Sequence, residues 1–262
     1  MDSNFIKFLG TAGARFVVAR QLRSSGGTWY NLQGMDILVD PGPGTLVKCA
    51  TSKPKLDPTR LQAIILTHKH LDHSTDINVM IEAMTDGGLK KRGWLFAPED
   101  ALENDPVVLQ YSRQFPEKVI LLREGQSYTL ADQLCFSTPI KHKHGVETYG
   151  LKFETNLGVI SQVVDTAYFK ELEQAYAHSD ILILHVVRFK DLNDKEKEIL
   201  HLNVEDARRL IASLKPRQAI LTHFGMTMLR AKPWEVAQQL SRETGVEVVA
   251  ANDGLKLDLE KP

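Results

Sequence analysis

The segment LQAIILTHKHLDH, residues 61–73, constrains this chain more than any other. A short apolar run rich in β-branched residues reads as a buried strand. It ends directly in His68, His70, Asp72 and His73, three of the nine histidines of the chain and an aspartate within six residues. In an extended segment the side chains at i and i+2 point the same way, so His68 and His70 can close on one ion. Asp72 and His73 follow where the chain begins to turn into a helix, which aims them differently. The segment therefore has donors for two adjacent ions. Neutral imidazole and carboxylate suit zinc first, with manganese or iron as alternatives. The plain alternative is a polar loop with surface histidines, a poor fit to so dense a cluster behind an apolar strand.

No repeat or low-complexity linker divides the chain, and residues 1–262 read as a single domain. The beginning reads as strand-rich, with FIKFLG (5–10), RFVVARQL (15–22), TWYNLQ and MDILVD before the turn DPGPG (40–44) and a short helix. Helical spacing over 76–84 follows the histidine cluster, and short strands are predicted near 93–97, 118–122, 126–130 and 133–138. Helices are predicted after Pro98, around 106–115 and over 167–178. TYGLKFE and LGVISQVVD read as a hairpin around Thr155-Asn156, and DILILHVV as a buried strand. The last third alternates helix 203–214 after Asn203, strand QAILTH, helix 233–243 from Pro233 and strand VEVVAAND. This order predicts an α/β protein, a four-layer αββα sandwich of two mixed sheets with helices outside.

Charge narrows the partners. Lys plus Arg number 32 against 33 Asp plus Glu, so the balance gives no sign of a general nucleic-acid binder. Cys49 and Cys135 stand far apart in no metal or redox spacing, which fits a reducing compartment. The N-terminus lacks a charged leader before an apolar region, and no apolar run approaches the ~20 residues that span a bilayer. A soluble, cytoplasmic protein without membrane partners is the expectation.

The pattern His-x-His-x-Asp-His after a strand resembles the signature of the metallo-β-lactamase fold superfamily. The rest of the chain resembles that family in order, and specifically its ribonuclease Z and cyclic phosphodiesterase branch. FLGTAG is similar to the opening of that branch, ILVDPGPGT to the strand and glycine turn before the first metal helix, and HGVETYGLKF to its third motif. VVDTAY resembles the motif of the bridging aspartate, ILTHF the last ligand motif, and VEVVAANDGLKLDL the closing strand pair. The resemblance covers essentially the whole chain.

It implies two divalent ions. His68, His70 and His144 would hold one, Asp72, His73 and His223 the other, and Asp165 would bridge them. A shared carboxylate offsets the repulsion of two adjacent cations. Asp72 would also orient the nucleophile. Taken alone, Asp165 could be a helix N-cap in DTAY and His223 an ordinary strand-end histidine; their place in the ordered set makes them ligands. His201, ahead of a helix, resembles the histidine that this branch places over the leaving group, where it would donate a proton or stabilise charge. Its bland reading is a helix-flanking histidine after a charged run. His185 departs from relatives that carry an acidic group near this position, and is open as a metal ligand, a partner of a catalytic residue or a satisfied core histidine. The tripeptide His-Lys-His recurs in KHKHG (141–145), where only His144 has the offset of a ligand. His142 is left as a contact behind the site or to substrate.

The implied activity is hydrolysis of a small or cyclic phosphodiester, with hydroxide held by the ions attacking phosphorus. Two departures set this chain apart from the named enzymes of the branch. One hairpin joins His144 to Asp165, leaving no room for a long tRNA-binding arm, and no cysteine cluster offers an additional zinc site. The expected partner is a small-molecule phosphate ester, and assembly into a homo-oligomer stays open. The same ions could polarise a carboxylic ester, thioester or lactone. A sensor that binds metal without turnover is the third reading. The charged segment 188–200 is a candidate lid over the site, against the ordinary reading of a solvated loop.

Overall fold

The computed structural model describes residues 4–131, 134–190 and 200–260. Most of the segment considered as a lid, 191–199, lies outside the described residues. Two compact units emerge: residues 4–11, 23–123 and 252–260 form the first, and the described residues of 12–251 outside 23–123 form the second.

The first unit is built on a seven-stranded mixed sheet in the order Lys256–Asp258, Phe5–Phe8, Thr28–Leu32, Met35–Val39, Ala63–Ile65, Trp94–Ala97 and Lys118–Leu121. The first four strands pair antiparallel, and from Met35–Val39 onward the pairs are parallel. Leu38, Ile64 and Leu95 pack from this sheet against Ile77, Met80, Ile81 and Met84 of the helix Ile77–Met84, forming a closed apolar core with Leu61, Leu66 and Val108. Burying each of these aliphatic side chains contributes roughly 1.5–3 kcal/mol before entropy is counted.

In the second unit an eight-stranded mixed sheet runs Glu247–Ala250, Gln218–Thr222, Ile181–Arg188, Gly158–Val163, Leu151–Thr155, Leu134–Thr138 and Gln126–Ala131. The short strand Leu202–Asn203 pairs with Ile181–Arg188. The strands from Gly158–Val163 to Glu247–Ala250 are parallel, and Leu151–Thr155 with Gly158–Val163 forms the expected hairpin. Leu182, Leu184 and Val186 alternate onto one face, where Leu210, Ile211, Val236 and Leu240 of the helices Val204–Leu214 and Pro233–Thr244 cover them. Both helix starts follow from local chemistry. The Asn203 side chain accepts from the Asp206 amide at 3.0 Å while the Asp206 carboxylate accepts from the Asn203 amide at 3.1 Å, a capping box. Pro233 supplies the preset first residue of the second helix.

The α/β class and the two mixed sheets with their helices agree with the expectation from sequence. Three local expectations do not. RFVVARQL is not a strand: Ala14–Ala19 is a helix, and of its apolar residues Val17 is buried while Phe16 is exposed. A β-branched run favours a strand only where a neighbouring strand offers a ladder, and tertiary context overrides the preference here. The helices expected after Pro98 and around 106–115 are only single 3₁₀ turns, Glu99–Ala101 and Ser112–Gln114. Asn104 and Asp105 both take positive φ (50° and 72°) ahead of Pro106, which breaks a helix entry. The Asn78 side chain then holds this loop, donating to the Val107 carbonyl and accepting from the Leu109 amide. The helix expected over 167–178 is limited to Glu171–Ala175, and the Ala167 amide ahead of it donates to the Lys143 carbonyl.

Among the described residues no helix is long and apolar enough to cross a membrane.

Candidate functional site

In each unit the chemistry-bearing residues gather where parallel strands end, the position at which open α/β sheets commonly present ligand sites. The strands Met35–Val39 and Ala63–Ile65 run parallel in the first unit. Their ends deliver Asp40 and, through Leu66 and Thr67, the segment His68–His73. The expected change from extended to helical conformation is present. His70 has φ −59° and ψ 145°, and the helix Leu71–Ser74 begins after it, with the His73 amide donating to the His70 carbonyl at 2.9 Å. The His68 ring lies 5.0 Å from that of His70 and 4.0 Å from that of His73, and Asp72 Oδ2 is 3.7 Å from His73 Nε2. Gly42 of the DPGPG turn allows this packing: a Cβ there would stand 2.1 Å from the Asp72 carbonyl oxygen and 2.2 Å from that of Ser25.

Asp40 sets the tautomers of this cluster. Its Oδ1 accepts from the Thr67 amide at 2.7 Å, and its Oδ2 from the Thr67 hydroxyl at 2.7 Å and from His73 Nδ1 at 2.9 Å. A carboxylate only accepts, so His73 carries its hydrogen on Nδ1. The Thr67 hydroxyl has given its hydrogen to Asp40, and at 3.1 Å it accepts from His68 Nδ1. Both rings therefore turn a lone-pair Nε2 outward, the state in which imidazole binds a metal, and a buried carboxylate behind a ligand histidine raises its basicity. Sequence reasoning missed Asp40. The available signal was an aspartate closing the strand MDILVD, and a positive φ of 54° at a non-glycine residue marks the position as functionally constrained. Asp40→Ala is expected to weaken Zn²⁺ binding about 10–100-fold, the usual effect of removing such a partner. It should also cost roughly 1–3 kcal/mol by leaving the Thr67 amide buried without an acceptor. Chelator competition and denaturant unfolding check the two effects, and an unchanged affinity would refute the assignment.

In the second unit the parallel strands Gly158–Val163, Ile181–Arg188 and Gln218–Thr222 bring Asp165, His185 and His223 together. The ends of the Asp165 carboxylate face different partners. Oδ1 is 3.0 Å from His185 Nδ1 and 3.3 Å from His223 Nε2, while Oδ2 is 3.5 Å from His201 Nδ1 and 3.9 Å from His144 Nε2. His144 donates from Nδ1 to the Leu200 carbonyl at 3.0 Å, so its Nε2 holds the lone pair. Asp165 is 2% exposed. Burial by itself pushes its carboxyl pKa up. The neighbouring His223 and His201 rings, with hydrogen bonds from His185 and His223, outweigh burial and hold it well below the usual carboxylate range. Asp165 is thus ionised, with a histidine nitrogen facing each oxygen.

His223 has φ 61°, which turns its ring back over the strand end. Gly13 of GTAG permits this turn: its amide donates to the Phe224 carbonyl, and a Cβ on it would stand 2.2 Å from the His223 oxygen and 2.7 Å from the ring. His201 precedes the strand Leu202–Asn203, its carbonyl held by Arg188 at 3.1 Å and its ring 4.9 Å from that of His144. His142 belongs to no group of convergent metal donors among the described residues. Its Nε2 lies 2.7 Å from the Tyr176 hydroxyl, and burial pushes its pKa down to about 3, so the ring is neutral.

The donor set fits a metal. The first unit presents His68, His70 and His73 with Asp72, and the second presents His144, Asp165 and His223 with His201 beside them. The imidazoles of His68, His73 and His144, with their hydrogens held on the far side, together with the carboxylates of Asp72 and Asp165, are the chemistry of a divalent transition ion.

Comparison with known proteins agrees with this chemistry. A model of the beta-lactamase superfamily domain matches residues 36–224. An uncharacterized protein of Methanocaldococcus jannaschii, MJ1374, is 34% identical, with 97% of this chain and 94% of that protein covered. The ribonuclease Z of Borrelia recurrentis is 24% identical, over 98% of this chain and 97% of its own length. Among solved structures, the metallo-beta-lactamase fold protein YhfI of Bacillus subtilis superposes with a TM-score of 0.77 at 19% identity, covering 98% of this chain and all of that one. A diphosphatase from the PhnP family gives 0.70 at 20% identity, with 98% of each chain covered. At these identities the structural likenesses show the fold.

Proposed function

Because the chain belongs to the beta-lactamase superfamily and is a metal-dependent hydrolase, we propose that it cleaves a small or cyclic phosphodiester at a dinuclear centre. In this reading His68, His70 and His144 would hold one ion, Asp72, His73 and His223 would hold the other, and Asp165 would be shared by both. Zinc is the favoured metal on donor chemistry. The observation that carries the reading is the division of Asp165, with His144 and His201 on Oδ2 and His185 and His223 on Oδ1. A carboxylate whose two oxygens face different histidines is suited to bridging.

Bound ions would supply a water acidified toward neutrality and Lewis-acid stabilisation of the phosphoryl oxygens. The chain does the rest. Asp72, with its side chain 21% exposed, can accept a hydrogen from the attacking water and orient it. His201, with its side chain 17% exposed beside Asp165, can reach the departing oxygen and protonate it.

Two features support a small substrate over a long RNA. The stretch from His144 to Asp165 contains one hairpin, Leu151–Thr155 with Gly158–Val163, and no inserted arm. The chain's net charge of −1 offers no excess of cations for a phosphate backbone. A relative named ribonuclease Z and a structural neighbour described as a diphosphatase favour a substrate cleaved at phosphorus. Both cysteines are free, in keeping with a cytoplasmic setting.

The test is a substrate panel. Protein purified with Zn²⁺ or Mn²⁺ is expected to hydrolyse bis-p-nitrophenyl phosphate or a cyclic nucleotide and to leave p-nitrophenyl acetate, thioesters and lactones intact. Esterase or lactonase activity without phosphodiesterase activity would replace this reading. Two bound ions with no turnover on any member of the panel would favour a sensor.

A further inference from the structure

His185 is 5% exposed and Gln162 is 1% exposed, and the two meet on adjacent parallel strands behind Asp165. His185 Nδ1 lies 3.0 Å from Asp165 Oδ1, and its Nε2 lies 3.2 Å from Gln162 Nε2. The carboxylate cannot donate, so the hydrogen is on Nδ1. The Gln162 amide nitrogen has no lone pair to offer and two hydrogens, so His185 Nε2 accepts. Each nitrogen of the ring is thereby committed to a protein partner. A ligand would need a lone pair pointed at an ion, as His68, His73 and His144 have. His185 spends its lone pair on Gln162.

We propose that His185 is a positioning residue and not a metal ligand. Asp165 and Gln162 together set its tautomer, and its Nδ1–H holds one lone pair of Asp165 Oδ1, which would keep the carboxylate oriented for a shared role. This rests on the dinuclear reading above. The parallel stacking of His185 on His223, at 4.6 Å between ring centres and 18° between planes, extends the same clamp to the ring beside Oδ1. The arrangement repeats, with different residues, what Asp40 and Thr67 do for His68 and His73. In both units a buried carboxylate decides which imidazole nitrogen carries the hydrogen.

Zn²⁺ stoichiometry and affinity, measured by competition with a chromophoric chelator, test the proposal. They are read beside the visible absorption of the Co²⁺-substituted protein and the thermal melting of the metal-free protein. His185→Ala is expected to keep two ions per chain and Co²⁺ bands like those of the wild type. Its weaker ion should be held about 10–100-fold less tightly, with a lower kcat and little change in KM on bis-p-nitrophenyl phosphate. His185→Asn, whose amide N–H can replace Nδ1–H, is expected to restore most of that loss. Gln162→Met, which keeps the ring and removes its donor, should weaken binding in the same direction, and with the asparagine variant it carries the test if the alanine variant does not fold. Loss of one ion in His185→Ala, with altered Co²⁺ bands and no rescue by asparagine, would make His185 a ligand. Wild-type affinity in all three variants would make it an ordinary core histidine. A wild-type protein that binds no metal would sink the proposed function, a failure distinct from either of these.

Discussion

Asp165→Ala, purified in the presence of Zn²⁺, is expected to carry about one ion fewer per chain and to lose its phosphodiesterase activity. Removing a single preorganised electrostatic group from an active site typically costs about 10²–10³ in kcat. A shared ligand should cost at least that, because its loss removes a donor and exposes the repulsion between the two cations. The local balance points the same way. Asp165 is buried, yet surrounding histidines keep it ionised against the burial that opposes it. Without its charge, His144, His201 and His223 lose the anion that their nitrogens face at 3.3–3.9 Å. Asp165→Asn separates charge from shape. The amide fills the same space but supplies no shared negative charge, so its metal content should follow the alanine variant. Metal analysis decides the matter, and wild-type stoichiometry with wild-type affinity in Asp165→Ala would refute the bridging role.

His201→Ala should behave differently. The protein is expected to retain two ions while turnover falls about 10²–10⁴-fold, the range for losing a general acid. The size of the loss should depend on the leaving group. A nitrophenolate departs readily without a proton, so bis-p-nitrophenyl phosphate should be only weakly affected. The ribose oxygen of a cyclic nucleotide is a poor leaving group and should show the full loss. Comparing the two substrates in wild type and variant tests the role independently of protein quality. An equal loss on both substrates, or a loss of metal, would mean that His201 acts as a ligand or a support.

The two clusters were legible to different degrees. His68, His70, Asp72 and His73 are contiguous, and the change from strand to helix that separates their directions is a local property of the chain. Asp165, His201 and His223 are each ambiguous in isolation, since an N-cap or a strand-end histidine would look the same. Only the order of motifs singled them out. The capping box at Asn203 and the Pro233 helix start were readable for the same local reason. The segment 15–22 was misread because a run of Phe, Val and Val carries strand preference without a strand partner. Asp40 was passed over because an aspartate before Pro-Gly has the composition of any turn.

The repeated His-Lys-His shows where the division falls. The sequence by itself determined which donor types are present, that four of them leave one strand together, and that sheets and helices alternate in the pattern of this fold. It could not determine what stands behind each ring. His142 turns to Tyr176 and His144 to the Leu200 carbonyl, although only one lysine separates them. A histidine becomes a ligand or a brace according to the partner of its second nitrogen. For His73 that partner is Asp40, 33 residues away, and for His185 it is Gln162, 23 residues away on the neighbouring strand. Such partners are brought into hydrogen-bonding distance by sheet register, and only the tertiary structure assigns the hydrogen to one nitrogen and the lone pair to the other.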